Sequence, residues 1–150
     1  PLDLEGLIKE LGIAYEKSNK LNDQISGEIE RKLGNEFVIR TNANNSKQRQ
    51  RFTAAHELGH YMLHRTLLGS GVDDNKAYRS DLNNGNFTNK NIQGRHEIEA
   101  NQFAAAILMP SSSVRTEAAK LDVTTSSLAA TFDVSNQAME IRMRTLGLWI

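Results

Sequence analysis

The pentapeptide His56-Glu57-Leu58-Gly59-His60 constrains this chain most, because it puts a metal-binding pair and a base on one turn of helix. Residues four apart on an α-helix lie one above the other, so both imidazoles reach a single ion. The glutamate after the first histidine is then held beside the ion's open coordination position. There it takes a proton from water. The bland alternative is a helix carrying two surface histidines, and the surrounding sequence argues against it.

The chain has no cysteine, so any metal site must draw on His, Asp or Glu, and no disulfide or thiol nucleophile exists. This suits a reducing cytosol. Two histidines are not a catalytic zinc site, which needs a third protein ligand and an open position. A third histidine six residues after the second is absent: position 66 is Thr66, and Leu63 occupies position 63. The other arrangement takes a glutamate from a downstream helix, where Glu97 and Glu99 are the candidates. Glu97 lies four residues before Asn101, so both face the same way. Glu97 then binds the ion while Asn101 accepts a hydrogen bond from the far nitrogen of a ligand histidine. Glu99 points roughly 160° further round, which makes Glu97 the preferred ligand and Glu99 the alternative.

The rest of the chain sets this pair of helices in a small domain. Its 150 residues make one domain or two subdomains sharing a core. Eighteen basic residues balance eighteen acidic ones, so no global field steers the protein to nucleic acid or to an anionic membrane. Apolar stretches are too short to span a bilayer and no charged-then-apolar leader opens the chain, so the expectation is a cytoplasmic protein. Leu4, Leu7, Ile8 and Leu11 recur at helical spacing before Gly12. Ile25 to Glu30 alternates, Phe37 to Ile39 is β-rich, and Gly34-Asn35 between them predicts a hairpin. Ser46 is the N-cap of a helix whose apolar side is Phe52, Ala55, Leu58 and Met62, with the histidines on an adjacent stripe. From about Gly69 to Gly94 the sequence is rich in Asn and Gly, which reads as a lid loop. His96 to Leu108 is a helix ended by Pro110. A polar linker and two short helices follow, Leu121 to Phe132 and Ser135 to Leu146. The Ser135 cap comes with a Val134–Met139 staple.

Three blocks now carry a family resemblance. Arg49-Gln50-Arg51-Phe52-Thr53-Ala54-Ala55 running into the pentapeptide resembles the signature of the ImmA/IrrE metallopeptidases. So does Glu97-Ile98-Glu99-Ala100-Asn101-Gln102-Phe103 through Pro110. A third block, Leu128 to Ser135 and on through Leu148, looks like the family's C-terminal end. The resemblance implies an α+β, zincin-like fold, mainly helical, with a small β-hairpin or sheet and a C-terminal helix-turn-helix-like pair. Residues 1–115 would form the metallopeptidase core, with the lid at about 69–94. Residues 116–150 would form a helical region packed on it. The implied activity is that of a gluzincin-type zinc endopeptidase cutting one cytoplasmic partner, usually a helix-turn-helix repressor, to relieve repression. Asn101 departs from the aspartate that related zinc peptidases often carry; an amide orients the imidazole but leaves it less basic.

In the chemistry this predicts, His56, His60 and Glu97 hold the ion and Glu57 is the base. The oxyanion donor is Tyr78, whose position resembles that of a family tyrosine, with His96 and His64 as rivals and Tyr61 assigned to the core. Ligand type admits Mn2+ as well as Zn2+. The strand from Phe37 to Thr41 is expected to align an extended substrate at a sheet edge. Two other classes compete. One is a DNA-binding regulator using Asn136, Gln137, Arg142 and Arg144. The other is a toxin–antitoxin-type binding protein with a non-catalytic metal site. Neither needs the base Glu57.

Overall fold

The computed structural model describes residues 1–75 and 89–148. Helix α1 (Leu4–Glu10) leads into strand β1 (Ala14–Ser18), then β2 (Ile25–Arg31) and β3 (Phe37–Asn42). Helix α2 (Lys47–His64) ends in a 3-10 turn at Arg65–Leu67, followed by β4 (Gly71–Asn75). Four helices complete the chain: α3 (Gly94–Leu108), α4 (Ser111–Ala118), α5 (Thr125–Phe132) and α6 (Asn136–Thr145). The architecture is α+β, and no helix among the described residues is long and apolar enough to cross a membrane.

The sheet order is β1-β3-β2-β4, with β1 parallel to β3 and the other pairings antiparallel. The β2–β3 hairpin therefore inserts β3 into the middle. This corrects the expectation that the strand before α2 is a sheet edge: β3 is hydrogen-bonded on both sides, and β1 and β4 are the edges among the described residues. β1 went unrecognised because its five residues contribute no fully buried side chain, so no alternating apolar signal marks it. Its register is instead fixed by charge. Arg40 of β3 lies opposite Glu16 of β1 and Glu28 of β2, and bonds them at 3.0 and 2.7 Å, with Glu30 also at 2.7 Å.

Five other expectations change. The first residues of the expected lid loop form β4, pairing with β2; positions 76–88 of that loop lie outside the described residues. The segment after Pro110 is helix α4, not a linker. It is polar all round except for the buried Val114, which is why periodicity does not reveal it. Helix α5 starts at Thr125, capped by Thr124, whereas Leu121 is exposed in the preceding turn. Met62 and Ile98 are exposed rather than buried. Helix α2 has no single apolar face: every residue from Thr53 to His60 is buried, so the histidines lie inside the fold. The Ser46 cap forms as expected, its hydroxyl accepting from the Arg49 N–H.

α2 is buried all round because the sheet covers one side and α3 another. The sheet side is a close approach. A Cβ built on Gly27 of β2 would stand 2.5 Å from Thr53 Cγ2 on α2 and 2.7 Å from the Arg40 carbonyl oxygen. Ile29 and Ile39 of the sheet, Ala54, Ala55 and Leu58 of α2, and Ala104 and Leu108 of α3 share one core. Val114, Leu128, Phe132, Val134, Met139 and Met143 of the C-terminal helices belong to the same cluster. The turn between α5 and α6 is also tied to α2. Asp133, left-handed at φ 54°, accepts from Lys47 Nζ at 2.9 Å and from Gln48 Nε2 at 3.3 Å.

Gly27→Ala is expected to cost about 1–3 kcal/mol, measured as a lowered urea midpoint, because the sheet must lift from α2. Adding Thr53→Ser, which removes the nearer obstacle, should recover part of that loss.

Candidate metal centre

The site is built where α2 and α3 cross. Gly59 sits between His56 and His60 on the helix, and a Cβ there would lie 3.1 Å from both Ala100 Cα and its carbonyl oxygen. With hydrogen in that place, the α3 backbone comes close enough for Glu97 and Asn101, on either side of Ala100, to reach the two histidines.

Glu97 approaches both imidazoles. Its carboxylate oxygens lie 2.7 Å from His60 Nε2 and 3.4 Å from His56 Nε2. His56 and His60 are 6% and 0% exposed, and their rings meet edge to face at 4.7 Å. Ligand atoms of His56, His60 and Glu97 fall within 4.8 Å of one another. Two imidazole nitrogens and one carboxylate, converging on one point from two helices, are the donor set of an open three-ligand zinc site. The residues therefore fit a divalent transition metal. Glu57, on the same turn of α2, is fully buried.

Each histidine is oriented from behind. The Nδ1 of His56 is 2.6 Å from Asn101 Oδ1, so its N–H donates to the amide oxygen. The Nδ1 of His60 faces His64 Nδ1 at 3.0 Å, and His64 Nε2 lies 2.9 Å from Glu99 Oε1. Glu99 is thus turned away from the His56–His60–Glu97 group. The hydrogen bond from His64 holds its carboxyl below the usual range.

Of the expected oxyanion donors, Tyr78 lies outside the described residues. His64 has both ring nitrogens engaged, so it has no N–H to offer a substrate. His96 is different. Its Nδ1 accepts the Gln93 N–H at 2.9 Å, which leaves the ring proton on Nε2. Burial first, then the neighbouring His64 and Arg95, keeps this imidazole below its ordinary pKa, so it stays neutral near pH 7. His64, His96 and Glu99 also cluster within 4.8 Å. As metal ligands they are badly placed, because the Gln93 bond forces a proton onto the one His96 nitrogen left over. Tyr61 packs edge to face on Phe37 at 5.2 Å, as a residue at the margin of the core.

The inward role of His64 escaped sequence reasoning, which weighed it only as a substrate donor. The signal was present: His64 follows His60 by four residues and so continues the His56–His60 stripe. The candidate DNA contacts on α6 are mostly engaged within the fold. Arg142 Nε donates to the Met109 carbonyl at 3.0 Å, and Arg144 pairs with Glu140. The Asn136 amide donates to Ser126 Oγ.

The family model described as peptidase M78, IrrE N-terminal-like domain, matches residues 9–144. None of the curated proteins compared with the chain matches it.

Gly59→Ala is expected to lower zinc affinity several-fold while shifting folding stability by less than about 1 kcal/mol. The helix-propensity gain of about 1 kcal/mol offsets the crowding, but α3 is displaced by a few tenths of an ångström. Zinc titration beside urea unfolding separates the two effects.

Proposed function

The chain belongs to the M78 metallopeptidase family, and from that premise we propose that it is a zinc-dependent, site-specific endopeptidase. The observation that carries this reading is the convergence of His56, His60 and Glu97 beside the buried Glu57. A binding protein needs the three ligands but no base beside them.

His56, His60 and Glu97 are the residues that would hold the ion, with the two Nε2 atoms and the Glu97 carboxylate facing one another. When bound, zinc supplies Lewis-acid polarisation of the scissile carbonyl and brings the pKa of water toward about 7. Glu57 takes the proton of the attacking water and later delivers it to the leaving amine. Asn101 keeps His56 in the tautomer whose Nε2 lone pair faces inward. The developing oxyanion needs a hydrogen-bond donor, which we assign to Tyr78; the Nε2–H of His96, one residue before Glu97, is the alternative. An extended substrate would pair with the edge strand β4 rather than with the interior β3. Manganese suits the same donor set, with availability deciding between the metals.

The partner we propose is a cytoplasmic helix-turn-helix repressor, as the family resemblance implies, with cleavage relieving repression. A DNA-binding role for α6 has less support. Arg142 is spent on the end of α3, where burial pulls its guanidinium pKa down, and the whole chain has no basic excess.

Glu57→Gln is expected to retain one zinc per chain and to lose at least about a hundredfold in cleavage of a co-purified repressor, followed by mass spectrometry of the fragments. Glu97→Ala should lose stoichiometric zinc. Wild type without zinc after reconstitution, or undiminished cleavage by Glu57→Gln, would remove the peptidase reading.

A further inference from the structure

We propose that His64 and Glu99 form a positioning relay that sets the proton on His60, so that its Nε2 is presented bare to the metal. The proposal rests on the metal-site reading above and assigns the two residues a role in how tightly that site holds zinc.

A neutral imidazole that binds metal through Nε2 must carry its proton on Nδ1, and that N–H needs an acceptor. For His56 the acceptor is an amide oxygen, which cannot be mistaken for a donor. For His60 it is another imidazole nitrogen, His64 Nδ1 at 3.0 Å. A histidine nitrogen accepts only when the proton is on its other nitrogen. His64 therefore acts as acceptor only with its proton on Nε2. At 2.9 Å from that Nε2 stands Glu99 Oε1, and an ionised carboxylate accepts but never donates. Glu99 thus selects the His64 tautomer, and His64 selects that of His60. Without Glu99, His64 is free to move its proton to Nδ1, and two N–H groups would then face each other beside the metal.

The surroundings suit a relay more than a solvated ion pair. His60 is fully buried and His64 is 4% exposed, so water does not supply a substitute acceptor at their junction. The side chain of Glu99 is 53% exposed, which lets the carboxylate remain charged at low desolvation cost while acting on buried rings. The two ligand histidines are consequently oriented by different chemistry. His56 has a neutral amide behind it, and His60 has a pair that ends in a negative charge, making His60 the more electron-rich ligand.

The test compares zinc affinity, by competition with a chromogenic chelator, across wild type, Glu99→Ala, Glu99→Gln, His64→Leu and His64→Asn. Histidine 15N NMR of the zinc-loaded protein reads the proton positions. Glu99→Ala should weaken zinc about 10-fold or more, and Glu99→Gln, which keeps an acceptor oxygen, should stay within a few-fold of wild type. His64→Leu should weaken zinc at least as much as Glu99→Ala does, and His64→Asn, whose Oδ1 stands where Nδ1 was, should recover most of the loss. His64 in wild type should carry its proton on Nε2. Because Glu99 is exposed, its two variants keep the test decisive even if His64→Leu fails to fold. Wild-type affinity in Glu99→Ala, or a His64 proton on Nδ1, overturns the relay and leaves the metal site standing. A wild type that takes up no zinc overturns both.

Discussion

The near-contact of two helix backbones at Gly59 governs how the metal centre is assembled. The ligands come from α2 and α3, and side chains as short as Asn and Glu reach across only when the helices almost touch. On its other side α2 packs on the sheet at Gly27, where the Thr53 side chain fills the space a Cβ would need. The helix that carries the chemistry is therefore clamped at two glycines, Gly59 on the helix itself and Gly27 on the sheet. Such an arrangement fixes positions firmly, because interiors are packed like crystals and a displacement on either face is felt on the other.

Clamping has a cost in polar burial. Thr53, His56, Glu57, His60 and His64 are all buried on one helix. Polar groups withdrawn from water destabilise a fold unless they are hydrogen-bonded. The structure meets this with partners from α3, Asn101 for His56 and Glu99 for His64, while Glu97 closes on the inward nitrogens as the third residue of the metal centre. One four-turn helix thus supplies both ligand and supporting residues. The sequence Glu97-Ile98-Glu99-Ala100-Asn101 is dense with function because all three of its polar side chains meet histidines of α2.

The C-terminal helices serve this arrangement from outside. Arg142 holds the Met109 carbonyl at the end of α3, and Asp133 anchors the α5–α6 turn to the start of α2. A helix-turn-helix outline is present, but Arg142, one of its DNA-like residues, braces the end of α3 instead. Spacing alone does not distinguish these uses, since a guanidinium meets a carbonyl or a phosphate with the same donors.

Elements whose signals are local were legible in the order of the residues. The caps at Ser46 and Ser135, the helix stop at Pro110, the β2–β3 hairpin and the stacking of His56 with His60 all follow from periodicity and backbone preference within a few residues. The common facing of Glu97 and Asn101 was legible for the same reason. Tertiary structure alone decided what depends on distant neighbours. β1 has little apolar pattern and exists because Arg40 and the edge of β3 pair with it. β3 became interior because a parallel partner lies far away in sequence. Glu99 and His64 found each other across 35 positions, and no helical wheel shows which histidine a carboxylate on another helix will meet. Local propensity reaches about one turn or one hairpin; which groups are buried together is settled by packing, and the proton positions at this site follow from that packing.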